Sequence, residues 1–170
     1  RVAPGDPVTA TLGDRLPPEA IEARRAQLGL DRDELTIVTK FGLPVGDLNG
    51  NDRNARGSRR YIMRAVEGSL RRLGTDYIDL LLVHQPFGDY YGTYRAMEKA
   101  LAAGKVRAIG VSNFMPDQLD QLLAATSVVP AVNQIESHPY FRQPELIAAD
   151  AEHGILTQAW SPIGGITFYR

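Results

Sequence analysis

LLLVHQP, residues 80–86, sets four apolar side chains in a row, ends them with a titratable ring and stops two positions later at a proline. An unbroken apolar run of this length reads as a strand buried on both faces, the kind found in parallel sheets. The run extends over DLLLVH (79–84), and four others share its form: LTIVTK (35–40), VRAIGVSN (106–113), AVNQIE (131–136) and ILTQAW (155–160). Helical periodicity fills the gaps between them. In SRRYIMRAVEGSLRRLG (58–74), Ile62, Val66, Leu70 and Leu73 share one face, and Gly74 stands where a C-cap glycine belongs. Tyr94, Met97 and Leu101 stripe the next helix, which Gly104 ends. Pro116 opens a third helix, carrying Leu119, Leu122 and Leu123, and Pro144 opens a fourth that closes at Gly154. An earlier helix is expected over about 18–28, followed after its strand by a long Gly/Asn/Asp-rich loop, FGLPVGDLNGNDRNARG (41–57).

Repeated strand–helix units imply a parallel sheet with right-handed crossovers. The strands end at 40, 84, 112, 136 and 160, and the last three intervals, 28, 24 and 24 residues, each hold one βα unit. Two α/β architectures accommodate this, an open doubly wound sheet and a (β/α)8 TIM barrel. Each run ends in polar or aromatic groups: Lys40, His84, Ser112 with Asn113, Gln134 with Glu136, and Trp160 with Ser161. Barrel enzymes gather reactive groups from several strands at this C-terminal end. An open sheet concentrates them at one switch point, usually beside a glycine fingerprint, and neither G-x-G-x-x-G nor G-x-x-x-x-G-K-[ST] occurs here. The barrel is therefore expected. A complete one takes about 250 residues, so the 170 residues are read as a partial barrel of about five βα units, forming a single domain over 1–170.

Composition narrows the function. The net charge of −1 gives no basic surface for nucleic acid. The chain has no cysteine, which excludes disulfides and thiolate metal sites, and its three histidines show no ligand spacing. No apolar run approaches the ~20 residues of a membrane span, and no segment resembles a signal peptide. A cytoplasmic protein is expected, without nucleic-acid, membrane or metal partners. Because it lacks an initial methionine, the chain is expected to begin inside a longer protein. Ser112 has no G-x-S-x-G context, so hydrolase chemistry is unsupported. A lone histidine is more often a hydrogen-bonded core residue, and a lone lysine more often snorkels to the rim. Both ending strands of one sheet makes a shared site the better reading.

Five stretches in register resemble the aldo-keto reductases: TIVTKFG, LGTDYIDLLLVHQP, GKVRAIGVSNF, NQIESHPYF and QAWSPIGG. The resemblance runs from about residue 30 to residue 170 and matches the third to seventh βα units of that (β/α)8 family. It implies reduction of aldehyde or ketone carbonyls by hydride transfer from a nicotinamide cofactor, usually NADPH, with NAD possible. Lys40 then matches the catalytic lysine and His84 the catalytic histidine. Ser112, Asn113 and Gln134 match the contacts to the nicotinamide carboxamide. Trp160 matches the ring on which nicotinamide stacks, and Ser161 and Ile163 match the start of the loop along the pyrophosphate.

The sequence also departs from the family. RVAPGDPVTATLGDRLP, upstream of the first expected helix, holds no tyrosine to serve as the family's proton donor, and the regions matching the first, second and eighth strands are missing. A segment of a longer enzyme is the expected explanation; a non-catalytic cofactor-binding or truncated member of the fold is the alternative. The style of the motifs changes near His84, which suggests a recombined sequence with a seam across 80–95.

Overall fold

Five strands pair in the order in which they occur, all parallel: β1 (Val38–Phe41), β2 (Ile78–Val83), β3 (Val106–Ser112), β4 (Val132–Glu136) and β5 (Leu156–Trp160). The structure is a computed structural model that describes residues 36–41 and 58–164, with Glu19 and Ala23 as isolated helical positions. Apart from Glu19, Ala23 and Phe41, the expected helix over 18–28 and the loop over 41–57 lie outside the described residues. Four helices connect the strands: α1 (Arg59–Leu73), α2 (Tyr90–Ala102), α3 (Pro116–Ala125) and α4 (Pro144–Glu152). Right-handed crossovers that always step to the next strand place every helix on one face of the sheet. A doubly wound sheet would reverse its order, whereas stepwise order is what a barrel wall requires.

Local chemistry sets the helix limits. Ser58 accepts the Tyr61 N–H at the start of α1, and Gly74, at φ 62°, closes it in the left-handed conformation open to glycine. The expected stripe of Ile62, Val66, Leu70 and Leu73 is buried. α2 begins at Tyr90, ahead of the expected stripe, because the Asp89 carboxylate caps the Gly92 N–H. Tyr94 and Met97 of that stripe are fully buried. On the helix side one continuous core joins Ile37 and Phe41, Leu81 and Val83, Ile109 and Val111, and Ile135 to the four helices. Between β2 and α2, Leu80–Val83 and Tyr94 lie in the interior, while Phe87, Gly88 and Asp89 are exposed.

At the N-terminal ends of the strands, Asp79 ties three strands together. Its carboxylate accepts the Ile37 N–H at 2.9 Å and the Arg107 guanidinium at 3.2 Å, and Arg107 also lies 3.6 Å from the centre of the Tyr77 ring. On the other face of the sheet, Gly110 leaves no room for a side chain. A methyl group there would meet the Val132 carbonyl oxygen at 2.6 Å and Leu82 Cδ2 at 2.7 Å. The backbone oxygen cannot move aside without displacing β4. Gly110→Ala should therefore lower unfolding free energy by about 1–3 kcal/mol, read as a lower urea midpoint. Among the described residues no helix is long and apolar enough to cross a membrane.

Candidate active site

Alternation along the strands sorts side chains between the helix side and the opposite face. Leu81 and Val83 face the helices, so Leu80, Leu82 and the following His84 point the other way. By the same rule Lys40 lies opposite Phe41, Ser112 opposite Val111, and Gln134 opposite Ile135. Thr157 bonds Asp150 on α4, which leaves Gln158 and Trp160 for the helix-free face. All the residues singled out in the strands thus share one face and one end of the sheet.

A hydrogen-bonded chain connects them. Lys40 Nζ donates to Ser112 Oγ at 3.3 Å, and Ser112 Oγ donates to the Gln134 carbonyl at 2.8 Å. Asn113 Nδ2 donates to Ser112 Oγ at 3.1 Å and to the His84 carbonyl at 3.3 Å. Trp160 Nε1 donates to Asn113 Oδ1 at 2.9 Å, which brings the last strand to the third. Ser112, fully buried, uses its hydroxyl as donor once and acceptor twice, so it is fully satisfied. Asn113 ends β3 at φ 61°, a left-handed conformation that turns its side chain back over the strand ends. Ser161, at φ 52°, begins the turn after β5; the Gly164 N–H bonds its carbonyl at 2.8 Å, and Ile163 is 82% exposed.

Burial and charge tune the two titratable groups. Desolvation lowers the Lys40 pKa below its ordinary 10.5. The His84 pKa falls below 6.5, first through burial and then through the Lys40 charge. At neutral pH His84 is therefore uncharged. Its Nδ1 is buried and has no hydrogen-bond partner among the described residues.

Two participants were not singled out in the sequence. Gln158 Oε1 accepts from Gln134 Nε2 at 2.9 Å, and its place two residues before Trp160 on an alternating strand was the available signal. Asn133 stands on the helix side, directly before Gln134, and is fully buried. Glu136, a polar strand-end group in the sequence, pairs with His138 at 3.2 Å.

The model described as the aldo/keto reductase family matches residues 19–170. The chain belongs to the aldo/keto reductase family. A morphine 6-dehydrogenase of this family from Pseudomonas putida is 49% identical over 140 residues, which cover 81% of the chain and 44% of the relative. A 2,5-diketo-D-gluconic acid reductase B from Corynebacterium is 46% identical, covering 79% of the chain and 46% of the relative. Among solved structures, an aldo-keto reductase from Bombyx mori in complex with NADP superposes with a TM-score of 0.73 at 33% identity, over 84% of the chain and 46% of that protein. The chain thus spans about half the length of the curated relatives it matches. The aldo-keto reductases are (β/α)8 barrels, and the five parallel strands here are a partial barrel of that fold.

Proposed function

We propose that this chain carries the nicotinamide-edge contacts and two catalytic residues of an NADPH-dependent reductase that converts aldehyde or ketone carbonyls to alcohols. One observation carries the reading: an amine, a neutral imidazole, two side-chain amides and an indole, from five different strands, meet at one end of the sheet. The donor set suits a nicotinamide. Its carboxamide needs one donor and one acceptor in fixed orientation: Asn113 Oδ1 keeps a lone pair to accept and the Gln134 amide can donate, while Ser112, its hydroxyl already committed, holds Asn113 in place; its flat ring needs a flat wall, which Trp160 provides. Ser161 and Ile163 would start the stretch that lies along the pyrophosphate.

When bound, the cofactor supplies the hydride. His84 hydrogen-bonds the substrate carbonyl through its imidazole, orienting it and stabilising negative charge as it develops on oxygen. The Lys40 ammonium adds positive potential at the same oxygen and lowers the pKa of the group that delivers the proton. The family resemblance assigns that delivery to a tyrosine. A non-catalytic, cofactor-binding member of the fold is the competing outcome. NADP is preferred over NAD because the Bombyx mori relative is in complex with NADP. The relatives named for morphine and for 2,5-diketo-D-gluconic acid differ so widely in substrate that only the carbonyl class carries over. The reading treats 1–170 as part of one barrel domain acting in the cytoplasm.

The test is loss of NADPH absorbance with a panel of aldehydes and ketones, using the full-length gene product. Substrate-dependent oxidation is expected. Cofactor binding without turnover on any carbonyl would favour the non-catalytic reading.

A further inference from the structure

Behind Ser112 and Asn113, on the helix side of the sheet, lies a buried polar cluster with no part in the chemistry above. Asn133 and Asp150 are both fully buried. Asn133 Oδ1 accepts the Phe114 N–H at 3.4 Å, and Asn133 Nδ2 donates to the Phe114 carbonyl at 3.0 Å. The same Nδ2 donates to Asp150 Oδ1 at 3.0 Å, while Thr157 Oγ1 donates to Asp150 Oδ2 at 2.6 Å. One side-chain amide thus pairs with both backbone groups of Phe114, as a neighbouring strand would.

Phe114 needs such a partner because the β3–β4 ladder ends two residues earlier, at Ser112 and Gln134. Asn113, between the ladder and Phe114, holds φ 61°. Asparagine tolerates the left-handed region better than other non-glycine residues, and a single conformation there is held by its surroundings. The surroundings do so from both sides. The Asn113 N–H bonds the Gln134 carbonyl at 3.0 Å, and Asn133 grips the next residue. The conformation so fixed is the one that turns Asn113 Oδ1 to the Trp160 indole.

We propose that Asn133, anchored by Asp150 and Thr157, is a positioning residue: by clamping the Phe114 backbone it holds Asn113 in the left-handed conformation that aims its amide at Trp160 and at the cofactor's carboxamide. Only the final clause rests on the reductase reading. The Trp160 indole N–H gives a proton resonance identified by its loss in Trp160→Phe. In Asn133→Ala this resonance should move upfield as its bond to Asn113 loosens. NADP⁺ affinity should fall about tenfold, the value of one well-formed hydrogen bond. Leu70→Ala, a core cavity on α1 away from this loop, should lower stability and leave both readouts in place.

An unmoved indole resonance in folded Asn133→Ala, or an equal shift in Leu70→Ala, would overturn the proposal. If the wild-type protein binds neither NADP⁺ nor NAD⁺, the reductase reading fails, and the indole shift still decides the role of Asn133. Should Asn133→Ala not fold, hydrogen exchange in the wild type decides instead. The Phe114 amide should exchange only through global unfolding, and exchange at the rate of an open loop would contradict the clamp.

Discussion

Exchanging Lys40 for methionine should lower kcat by about 10²- to 10⁴-fold, the usual worth of a positioned acid–base partner, with the fold intact. The ammonium is partly buried and its strongest hydrogen bond is to a neutral hydroxyl, so the folded state holds its charge at a cost. That cost fixes the sign of the stability change. With the folded-state pKa below 10.5, the unfolded chain binds the proton more tightly, and stability rises as pH climbs from the folded-state value toward 10.5. Methionine keeps the length of the side chain and removes the charge. Lys40→Met should therefore be at least as stable as the wild type at neutral pH, and its urea midpoint should lose that alkaline rise. Steady-state kinetics with one aldehyde, alongside urea titrations at neutral and alkaline pH, check both halves. A variant that loses activity only because it unfolds would contradict the assignment.

His84→Ala should cost about 10²- to 10³-fold in kcat/KM, the loss seen when one donor to a developing oxyanion is removed. Most of it should fall on kcat, because a bond that strengthens in the transition state changes KM little. The wild-type imidazole has its pKa held below 6.5, first by burial and then by Lys40. It therefore stays neutral as pH falls past 6.5, and the acid limb of kcat/KM belongs below that value. Stability follows the same sign: the unfolded chain protonates first, so stability declines as pH drops through 6.5 toward the folded-state value. Lys40→Met removes one of the two causes. The His84 ring resonance should then titrate at higher pH in that variant, in the direction of 6.5, by proton NMR. An unchanged titration would mean that the two groups do not share a site.

Period and punctuation made most of the fold legible. Apolar runs ended by polar groups marked all five strands to within a few residues, and Gly74, Gly104, Pro116 and Pro144 marked helix limits. The observed shifts have local causes. β3 stops at Ser112, the expected end, where Asn113 takes a positive φ, and α2 starts early because Asp89 caps it. The strand-end residues were legible because one face of each strand reaches a common mouth; Lys40, Ser112, Asn113 and Trp160 are joined by hydrogen bonds there. Asn133 was not, because an asparagine on the helix side of a strand looks like a blemish in an apolar pattern. Its meaning depends on the Phe114 backbone and on Asp150, 19 and 17 residues away along the chain, which no periodicity connects to it. The burial of His84 Nδ1 was equally out of reach, since it depends on how the strands pack.

The central claim is that a nicotinamide ring lies against Trp160 with its edge on Ser112, Asn113 and Gln134. An oxidised nicotinamide does not absorb in the indole emission band, so it quenches that emission by contact, and the share due to Trp160 is the part lost in Trp160→Phe. Titration with NADP⁺ should quench Trp160 fluorescence saturably, at the same dissociation constant that calorimetry gives. NADP⁺ that binds by calorimetry and leaves the emission unchanged, or fails to bind at all along with NAD⁺, would contradict the account.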